Sequence, residues 1–178
     1  MSAKQKPIAS PKKGKAAAHW VKRNSTAGRF IDVKILKQSK HKNPHLVSVV
    51  TGVHFRNRAK MLTVIKEGIN FTAIGQLEEA FHTSQKEVAN LLSIPPSTLT
   101  RRKKDGQLNT EESDRVVRFA HLKDSADELM GGGDAAITWL RTPLDILGGE
   151  TPLEHARTEL GVRDVEDLIG RLKHGVFS

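Results

Sequence analysis

The stretch LLSIPPSTLTRRKKDGQLNTEESDR (residues 91–115) decides the fold of this chain. It holds the end of one short segment with apolar residues at helical spacing and the whole of a second. Pro95 and Pro96 stand between them, and a helix tolerates proline only in its first turn. Gly106 ends the second segment. Two short helices joined by a tight turn form a helix-turn-helix, which we predict here.

The second helix of a DNA-binding helix-turn-helix enters the major groove, and its early residues meet the edges of the bases. The cations that follow bind phosphates, which give affinity and salt dependence rather than sequence choice. The candidate DNA-binding residues are Ser97, Thr98, Thr100, Arg101, Arg102, Lys103 and Lys104.

The same stretch also fits a helix pair that only packs, since cations at a helix end complement the helix dipole. Ser93 departs from the DNA-binding pattern, because the turn of such motifs often carries glycine. From this stretch alone, both interpretations stay open.

The charge of the chain is unevenly distributed. Its 178 residues carry a net charge of +9. Residues 1–67 hold 16 Lys and Arg against two Asp and Glu, whereas residues 68–178 hold 13 against 18. This asymmetry indicates a polyanionic partner at one end and a different partner at the other.

Several classes of protein lack their signals in the sequence. Cysteine is absent, which excludes disulfides and thiolate metal sites and suits the cytoplasm. No apolar run approaches the roughly 20 residues that span a bilayer, and the basic N-terminus lacks the apolar core of a secretory signal. The eight histidines show no H-x-x-x-H pair within a predicted helix. Because the sequence also shows no nucleophile–base pair, we expect that the protein is not an enzyme and that it binds no metal, no cofactor and no membrane.

The helical periodicity predicts an all-α fold in three parts. Residues 1–55 form a basic, largely irregular arm, in which residues 19–37 are compatible with a short β-hairpin. Residues 56–109 form the helix-turn-helix domain, and residues 110–178 form further helices. Thr110 opens a long helix, and a helix that begins at Pro152 stops at Gly161. The last helix carries an apolar stripe formed by Val165, Leu168, Ile169 and Leu172.

Two longer blocks resemble a known family. RRKKDGQLNTEESDRVVRFAHL (residues 101–122) resembles the R-R-x-x-x-G-x-L-x-x-x-E-S-x-R block of the Xre/MbcA/ParS antitoxins. Residues 139–178 are similar to their C-terminal toxin-binding domain, in which W-L, L-G-G-x-T-P and a final R-x-x-x-G-V recur. The resemblance covers about residues 60–178 and leaves residues 1–55 outside.

The resemblance implies a two-part antitoxin. Its helix-turn-helix half would bind operator DNA of its own operon and form a homodimer. Its C-terminal half would bind a RES-domain toxin, which consumes NAD or transfers ADP-ribose from it, and would occlude the toxin's active site. Residues 109–178 hold 8 Lys and Arg against 14 Asp and Glu, which complements a basic cleft that binds an anionic dinucleotide.

The candidate toxin-binding residues lie in a glycine-rich turn and at the chain end. They are Leu147, Gly148, Gly149, Thr151, Arg171, Lys173, His174, Gly175, Val176, Phe177 and Ser178. Chain ends are usually polar and frayed, so the apolar Val176 and Phe177 either fold back on their own domain or enter the toxin's cleft. Trp139 is either part of the core of its own domain or an anchor for the toxin.

Two other functions compete with the antitoxin. A stand-alone helix-turn-helix transcriptional regulator would share residues 91–115 but would not need the L-G-G-x-T-P region. A nucleic-acid-processing enzyme is disfavoured, because the sequence shows no acidic metal cluster or catalytic constellation.

Overall fold

The computed structural model describes residues 44–175, and within that range the chain is helical with no strand. The α-helices are α1 (Leu46–Thr51), α2 (Arg58–Glu67), α3 (Thr72–Phe81), α4 (Gln85–Leu91), α5 (Pro96–Asp105), α6 (Thr110–Met130), α7 (Gly133–Leu140), α8 (Pro152–His155) and α9 (Glu159–His174). A 3-10 turn, Asp145–Leu147, precedes α8. The predicted all-α fold is confirmed, while the hairpin predicted within residues 19–37 lies outside the described residues. None of the helices in this range is both long and apolar enough to cross a bilayer.

Helix α1 belongs to the folded body, although the sequence placed it in the arm of residues 1–55. Its Val47 and Val50 are buried, and the helix packs on α3 and α6. The carboxylate of Asp124 on α6 accepts hydrogen bonds from the N–H groups of Leu46 (2.7 Å) and Val47 (3.1 Å), the unpaired donors at the start of α1. Burial raises the pKa of Asp124 above its ordinary value despite these bonds. The arm therefore ends before residue 46.

The predicted helix-turn-helix is formed by α4 and α5. Ser84 caps α4 by accepting a hydrogen bond from the N–H of Glu87 (3.3 Å), and Pro96 occupies the first turn of α5. Between the helices, Ser93 has a φ of 53°, the left-handed conformation that glycine adopts without steric cost. This backbone conformation explains why turns of this kind often carry glycine where this chain has serine.

Helix α6 is shared by both halves of the chain. It packs against α1, α2 and α3 on one side and against α7 and α9 on the other, and the core around it is continuous. Thr110 opens α6 as predicted, and Asn109 is its N-cap. The Asn109 side chain accepts from the N–H of Glu112 (2.7 Å), and the Glu112 carboxylate accepts from the N–H of Asn109 (2.9 Å). Asn109 and Glu112 thus form a capping box, which the sequence analysis did not predict.

The helix predicted to run from Pro152 to Gly161 is wrong. It stops at His155, and Thr158 caps α9 by accepting a hydrogen bond from the N–H of Gly161 (3.0 Å). Gly161 therefore lies inside α9. A Cβ there would lie 1.9 Å from the carbonyl oxygen of His155, so glycine allows α8 and α9 to approach closely. The apolar stripe of α9 packs as predicted, and Trp139 is 4% exposed within the core of its own domain.

A buried ion pair fixes α5 to α6. The Nε of Arg102 donates to the Oε2 of Glu112 at 2.7 Å, and Glu112 is 5% exposed. The link between α5 and α6 also pairs with the link between α2 and α3. There, Leu108 donates from its N–H to the carbonyl of Ile69 (2.9 Å), and Ile69 donates from its own N–H to the Oγ of Ser113 (2.9 Å).

Substitution of Glu112 by alanine tests this junction. Glu112→Ala leaves the Arg102 guanidinium and the Asn109 N–H without their charged acceptor, so we expect a loss of about 2–4 kcal/mol in the free energy of unfolding. The control Asp114→Ala removes an exposed pair with Arg118 on the same helix and should cost less than about 1 kcal/mol. Urea unfolding followed by circular dichroism measures both, and equal losses would contradict the assignment.

Candidate nucleic-acid and partner interfaces

Helix α5 presents an exposed polar surface. None of its residues is buried, and Leu99 alone packs against the core, from a half-buried position. Thr98 is half-buried, and the Thr100 hydroxyl donates to the carbonyl of Pro96 (3.0 Å). The exposed candidates are Ser97, Thr100, Arg101, Lys103 and Lys104. One short helix therefore displays most of the predicted DNA-binding side chains to solvent.

Arg102 differs from the three cations beside it. Its side chain is 17% exposed, with Nε on Glu112 and Nη1 at 3.8 Å from Asp105. Within the described part of the chain, Arg101, Lys103 and Lys104 form no ion pair. The structure thus separates one arginine that holds the helix in place from three cations that are free to meet an anion.

Arg115 is a residue of this region that the sequence analysis missed. Its Nη1 donates to the carbonyl of Leu92 at 2.8 Å, at the end of α4 and the start of the turn. Together with Glu112 and Ser113, it makes up the E-S-x-R part of the family motif, and each of the three contacts a different segment of the helix-turn-helix domain. The signal in the sequence was the presence of polar residues between the apolar positions of α6, because a polar group that becomes buried needs a hydrogen-bond partner.

The glycine-rich turn before α8 is closed by its own backbone. The N–H of Leu144 donates to the carbonyl of Glu150 (3.0 Å), and the N–H of Gly149 donates to the carbonyl of Leu144 (3.0 Å). Gly148 and Gly149 have φ of 70° and 87°, which a residue with a Cβ rarely adopts. The candidate Leu147 is buried, whereas its neighbour Ile146 is 61% exposed. The apolar group offered by this turn is therefore Ile146.

Thr151 is the N-cap of α8, with Pro152 in the first turn of that helix. Its hydroxyl oxygen accepts a hydrogen bond from the N–H of Glu154 (3.1 Å), and Glu154 completes a capping box. The hydrogen bond from the Thr151 hydroxyl lowers the pKa of the Glu154 carboxyl. Thr151 thus shapes the exit of the turn.

The end of α9 carries the second group of candidates. Arg171 and His174 are exposed, and Gly175 ends the helix with a φ of 68°. The Nζ of Lys173 donates to Glu128 on α6 at 2.7 Å, and this bond lowers the pKa of Glu128. Val176, Phe177 and Ser178 lie outside the described residues.

The structure does not bring the two groups of toxin-binding candidates together. The turn leads into α8, which packs on the first half of α9 through the contact between His155 and Gly161. From Asp164 to His174 the helix rises about 15 Å at about 1.5 Å per residue. The turn and the end of α9 therefore lie on separate parts of the domain.

His155 joins the turn to α9. Its Nδ1 lies 2.7 Å from the Oε2 of Glu150, and its Nε2 lies 3.2 Å from the Oδ2 of Asp164. Both ring nitrogens face carboxylates, an arrangement that favours the doubly protonated ring. The hydrogen bonds to Glu150 and then Asp164 raise the pKa of His155 above its ordinary value.

His155 also borders an open depression of about 490 Å³, which reaches Ser93 in the turn of the helix-turn-helix. In residues 44–175, no group of three or more histidines and carboxylates is placed to hold a metal ion.

The raised pKa of His155 predicts a dependence of stability on pH. Because the folded-state pKa lies above the unfolded value of about 6.5, the stabilisation is fully present below that pH and is lost as pH rises through the folded-state pKa. Unfolding by urea at pH 6 to 9 should show a gap between the parent protein and His155→Gln that narrows as pH rises. His54→Gln, which removes an exposed histidine with no carboxylate partner among the described residues, is the control and should show no such narrowing.

Comparison with known proteins matches both halves of this structure. The family profile of the antitoxin Xre-like helix-turn-helix domain matches residues 60–121. That of the antitoxin Xre/MbcA/ParS C-terminal toxin-binding domain matches residues 125–175. The two profiles meet inside α6, whereas the sequence analysis divided the chain at residue 110, a division that stays a prediction.

Curated relatives agree with the profiles. Antitoxin Xre of Yersinia enterocolitica serotype O:8 is 41% identical over 116 residues, which cover 64% of this chain and 78% of the relative. Antitoxin Xre of Photorhabdus laumondii is 31% identical over 117 residues, covering 65% and 79%. A Sphingobium protein named Prs ADP-ribosylating antitoxin is 29% identical over 125 residues, covering 65% and 79%. With a helix-turn-helix domain and a toxin-binding domain matched in order, this chain belongs to the Xre/MbcA/ParS family of antitoxins.

Proposed function

We propose that this antitoxin neutralises a RES-domain toxin by occluding its active site, and that it represses its own operon as a DNA-bound homodimer in the cytoplasm. The observation that carries the proposal is that one helix, α6, packs against both the domain that displays the unpaired α5 cations and the toxin-binding domain. The name of the Sphingobium relative refers to ADP-ribosylation, a reaction that uses NAD, and this supports a toxin of that class.

In the DNA-bound state, the exposed early residues of α5 meet the edges of the bases, and the later cations bind phosphates. Ser97, Thr100 and Arg101 are exposed, as base contact from a helix in the groove requires. Thr98 is half-buried. Lys103 and Lys104 follow at the solvent-exposed end of the helix. Arg102 supports this surface from behind through Glu112 and takes no phosphate.

Separate substitutions distinguish base contacts from phosphate contacts. Arg101→Ala should reduce the ratio of operator to non-specific affinity by about tenfold or more. Lys103→Ala with Lys104→Ala should weaken binding to every duplex and lower the slope of log affinity against log salt by about two. Gel-shift titrations at several salt concentrations, on DNA from upstream of the chain's own gene and on a shuffled duplex, measure both. Unchanged affinity and salt dependence in both variants would remove α5 from the groove.

For the toxin, the chain offers two contact regions. The end of α9 presents Arg171 and His174, which can meet groups that otherwise bind the phosphates of the dinucleotide. Lys173 is held by Glu128 and stabilises the end of this helix. The glycine-rich turn presents Ile146 and carries no exposed cation between residues 144 and 151. Inhibition of an NAD-binding cleft is therefore assigned to the end of α9 and the residues after it, with the turn as a second contact.

Truncation tests which region inhibits. A chain lacking residues 175–178 should keep its circular dichroism spectrum and its operator affinity, but fail to block NAD turnover by the RES-domain protein of the neighbouring reading frame at equimolar ratio. Burial of Phe177 in the complex contributes about 2 kcal/mol to the binding free energy, so a large excess of the truncated chain should restore part of the inhibition.

The matched variant for this experiment is Ile146→Asp, which alters the turn and leaves the chain end intact. It should still inhibit the toxin, with weaker binding. Full inhibition by the truncated chain together with loss of inhibition by Ile146→Asp would move the inhibitory contact to the glycine-rich turn. A neighbouring protein that consumes no NAD, or that the full-length chain does not inhibit, would overturn the toxin half of the proposal.

A further inference from the structure

The cations of the described chain fall into a paired and an unpaired set. Most of those in the second half lie beside carboxylates, namely Arg115, Arg118, Lys123, Arg141, Arg163 and Lys173. Apart from the α5 cations, the densest unpaired group is Arg56, Arg58 and Lys60, here called the α2 basic surface. All three are exposed, and residues 44–66 contain no Asp or Glu.

The stability of the fold does not explain the α2 basic surface. Arg58 and Lys60 lie in the first turn of α2, which contains no acidic residue. The N-terminal end of a helix carries partial positive charge, so cations there are unfavourable. The basic ends of α5 and α9 show the opposite, favourable placement. Local electrostatics that oppose the fold are typical of a surface kept for a ligand.

Aromatic packing holds the third cation in place. The Arg56 guanidinium lies 5.3 Å from the centre of the Phe55 ring. That ring is packed against His45 and His54, with centroids 3.9 Å and 5.0 Å away. A cation–π contact orders the guanidinium without neutralising it. Arg56 is therefore an oriented positive charge at the surface.

The α2 basic surface lies at the start of α2, and the end of α5 lies near the other end of that helix. His45 packs on Phe55, so the first described residues lie beside Arg56, and the sequence before them, residues 1–43, holds 12 Lys and Arg and one Asp. At the other end of α2, the Nε2 of Gln107 donates to the carbonyl of Glu67 (2.8 Å), next to the end of α5. The ten residues of α2 rise about 15 Å at about 1.5 Å each.

We infer that Arg56, Arg58 and Lys60 form a second DNA-backbone site, which reads no sequence and extends the footprint of α5 along the duplex. This inference rests on the proposed binding of operator DNA by α5. A distance of about 15 Å corresponds to about four base pairs at about 3.4 Å each, so phosphates flanking the α5 contact can reach the site. The absence of acidic side chains from residues 44–66 and the adjoining basic segment favour a polyanion over a protein surface of mixed charge.

Duplex length provides the test. Two duplexes from upstream of the chain's own gene are compared: the shortest one that α5 recognises, and the same one extended by about eight base pairs on each side. The parent chain should bind the longer duplex about tenfold more tightly. Arg58→Gln with Lys60→Gln should lose this advantage, lower the salt slope on the longer duplex by about two, and keep the parent ratio of operator to shuffled DNA.

The control variant removes the same charge elsewhere. Arg157→Gln with Arg163→Gln, two exposed residues of the toxin-binding domain, should behave as the parent chain on both duplexes. Circular dichroism and thermal unfolding check the fold, and the midpoint of the α2 variant should equal or exceed that of the parent, because unfavourable cations are removed from a helix start.

The outcomes separate this inference from the proposed function. If the α2 variant keeps the length advantage and salt slope of the parent chain, the second site is wrong while recognition by α5 stands. If both double variants lose affinity equally, net charge explains the effect and the second site is again wrong. If the parent chain does not prefer the operator, recognition by α5 is wrong. The α2 basic surface is then still tested by comparing the parent chain with the α2 variant on the shuffled long duplex.

Discussion

The carboxylate of Glu112 is the interaction on which the arrangement of both surfaces depends. It accepts one hydrogen bond from Arg102 on α5 and another from the N–H of Asn109 at the start of α6. A buried charge is costly unless it is paired and hydrogen-bonded, so α5 cannot rotate on α6 without leaving Glu112 exposed to that cost. The direction in which α5 presents its cations is thereby fixed relative to α6, and α6 carries the toxin-binding domain.

The block that identified the family from sequence is mainly a structural junction. Gly106 ends α5 in a left-handed conformation, Leu108 is buried, and Ser113 and Arg115 hold the backbone of other segments. The resemblance predicted the fold correctly because these residues encode how the helices meet. Four adjacent cations look alike in sequence, and Arg102 is distinguished only by Glu112, ten residues away on a different helix. The sequence could predict a basic helix but not which of its cations is committed to the fold.

Features that depend on neighbours within one helical turn were predictable. The end of α5 at Gly106, the start of α6 at Thr110 and the apolar stripe of α9 are examples. Features that depend on distant partners were not. Asp124 meets the start of α1 across 78 positions of sequence, so α1 was assigned to the arm. Gly161 was taken as a helix stop, because its contact with the His155 carbonyl exists only after α8 has turned back on α9.

The two binding surfaces differ in how their charge is satisfied. Cations of the toxin-binding half are mostly paired with carboxylates of the same chain, whereas Arg101, Lys103 and Lys104 on α5 and the cations at the start of α2 have no carboxylate partner among the described residues. The surfaces are also separate, so toxin and DNA have no need to compete for the same side chains.

Influence of one ligand on the other requires a change that both sites sense. The structure offers two routes, which are α6 itself and the depression where Ser93 faces Glu150 and His155. Of these, the position of α6 relative to α5 is fixed by Glu112. The His155 side chain is partly exposed, and its contacts with Glu150 and Asp164 are stronger when its ring is protonated. Coupling between toxin binding and DNA binding is therefore expected to act on the turn between α4 and α5 rather than on the junction of α5 with α6.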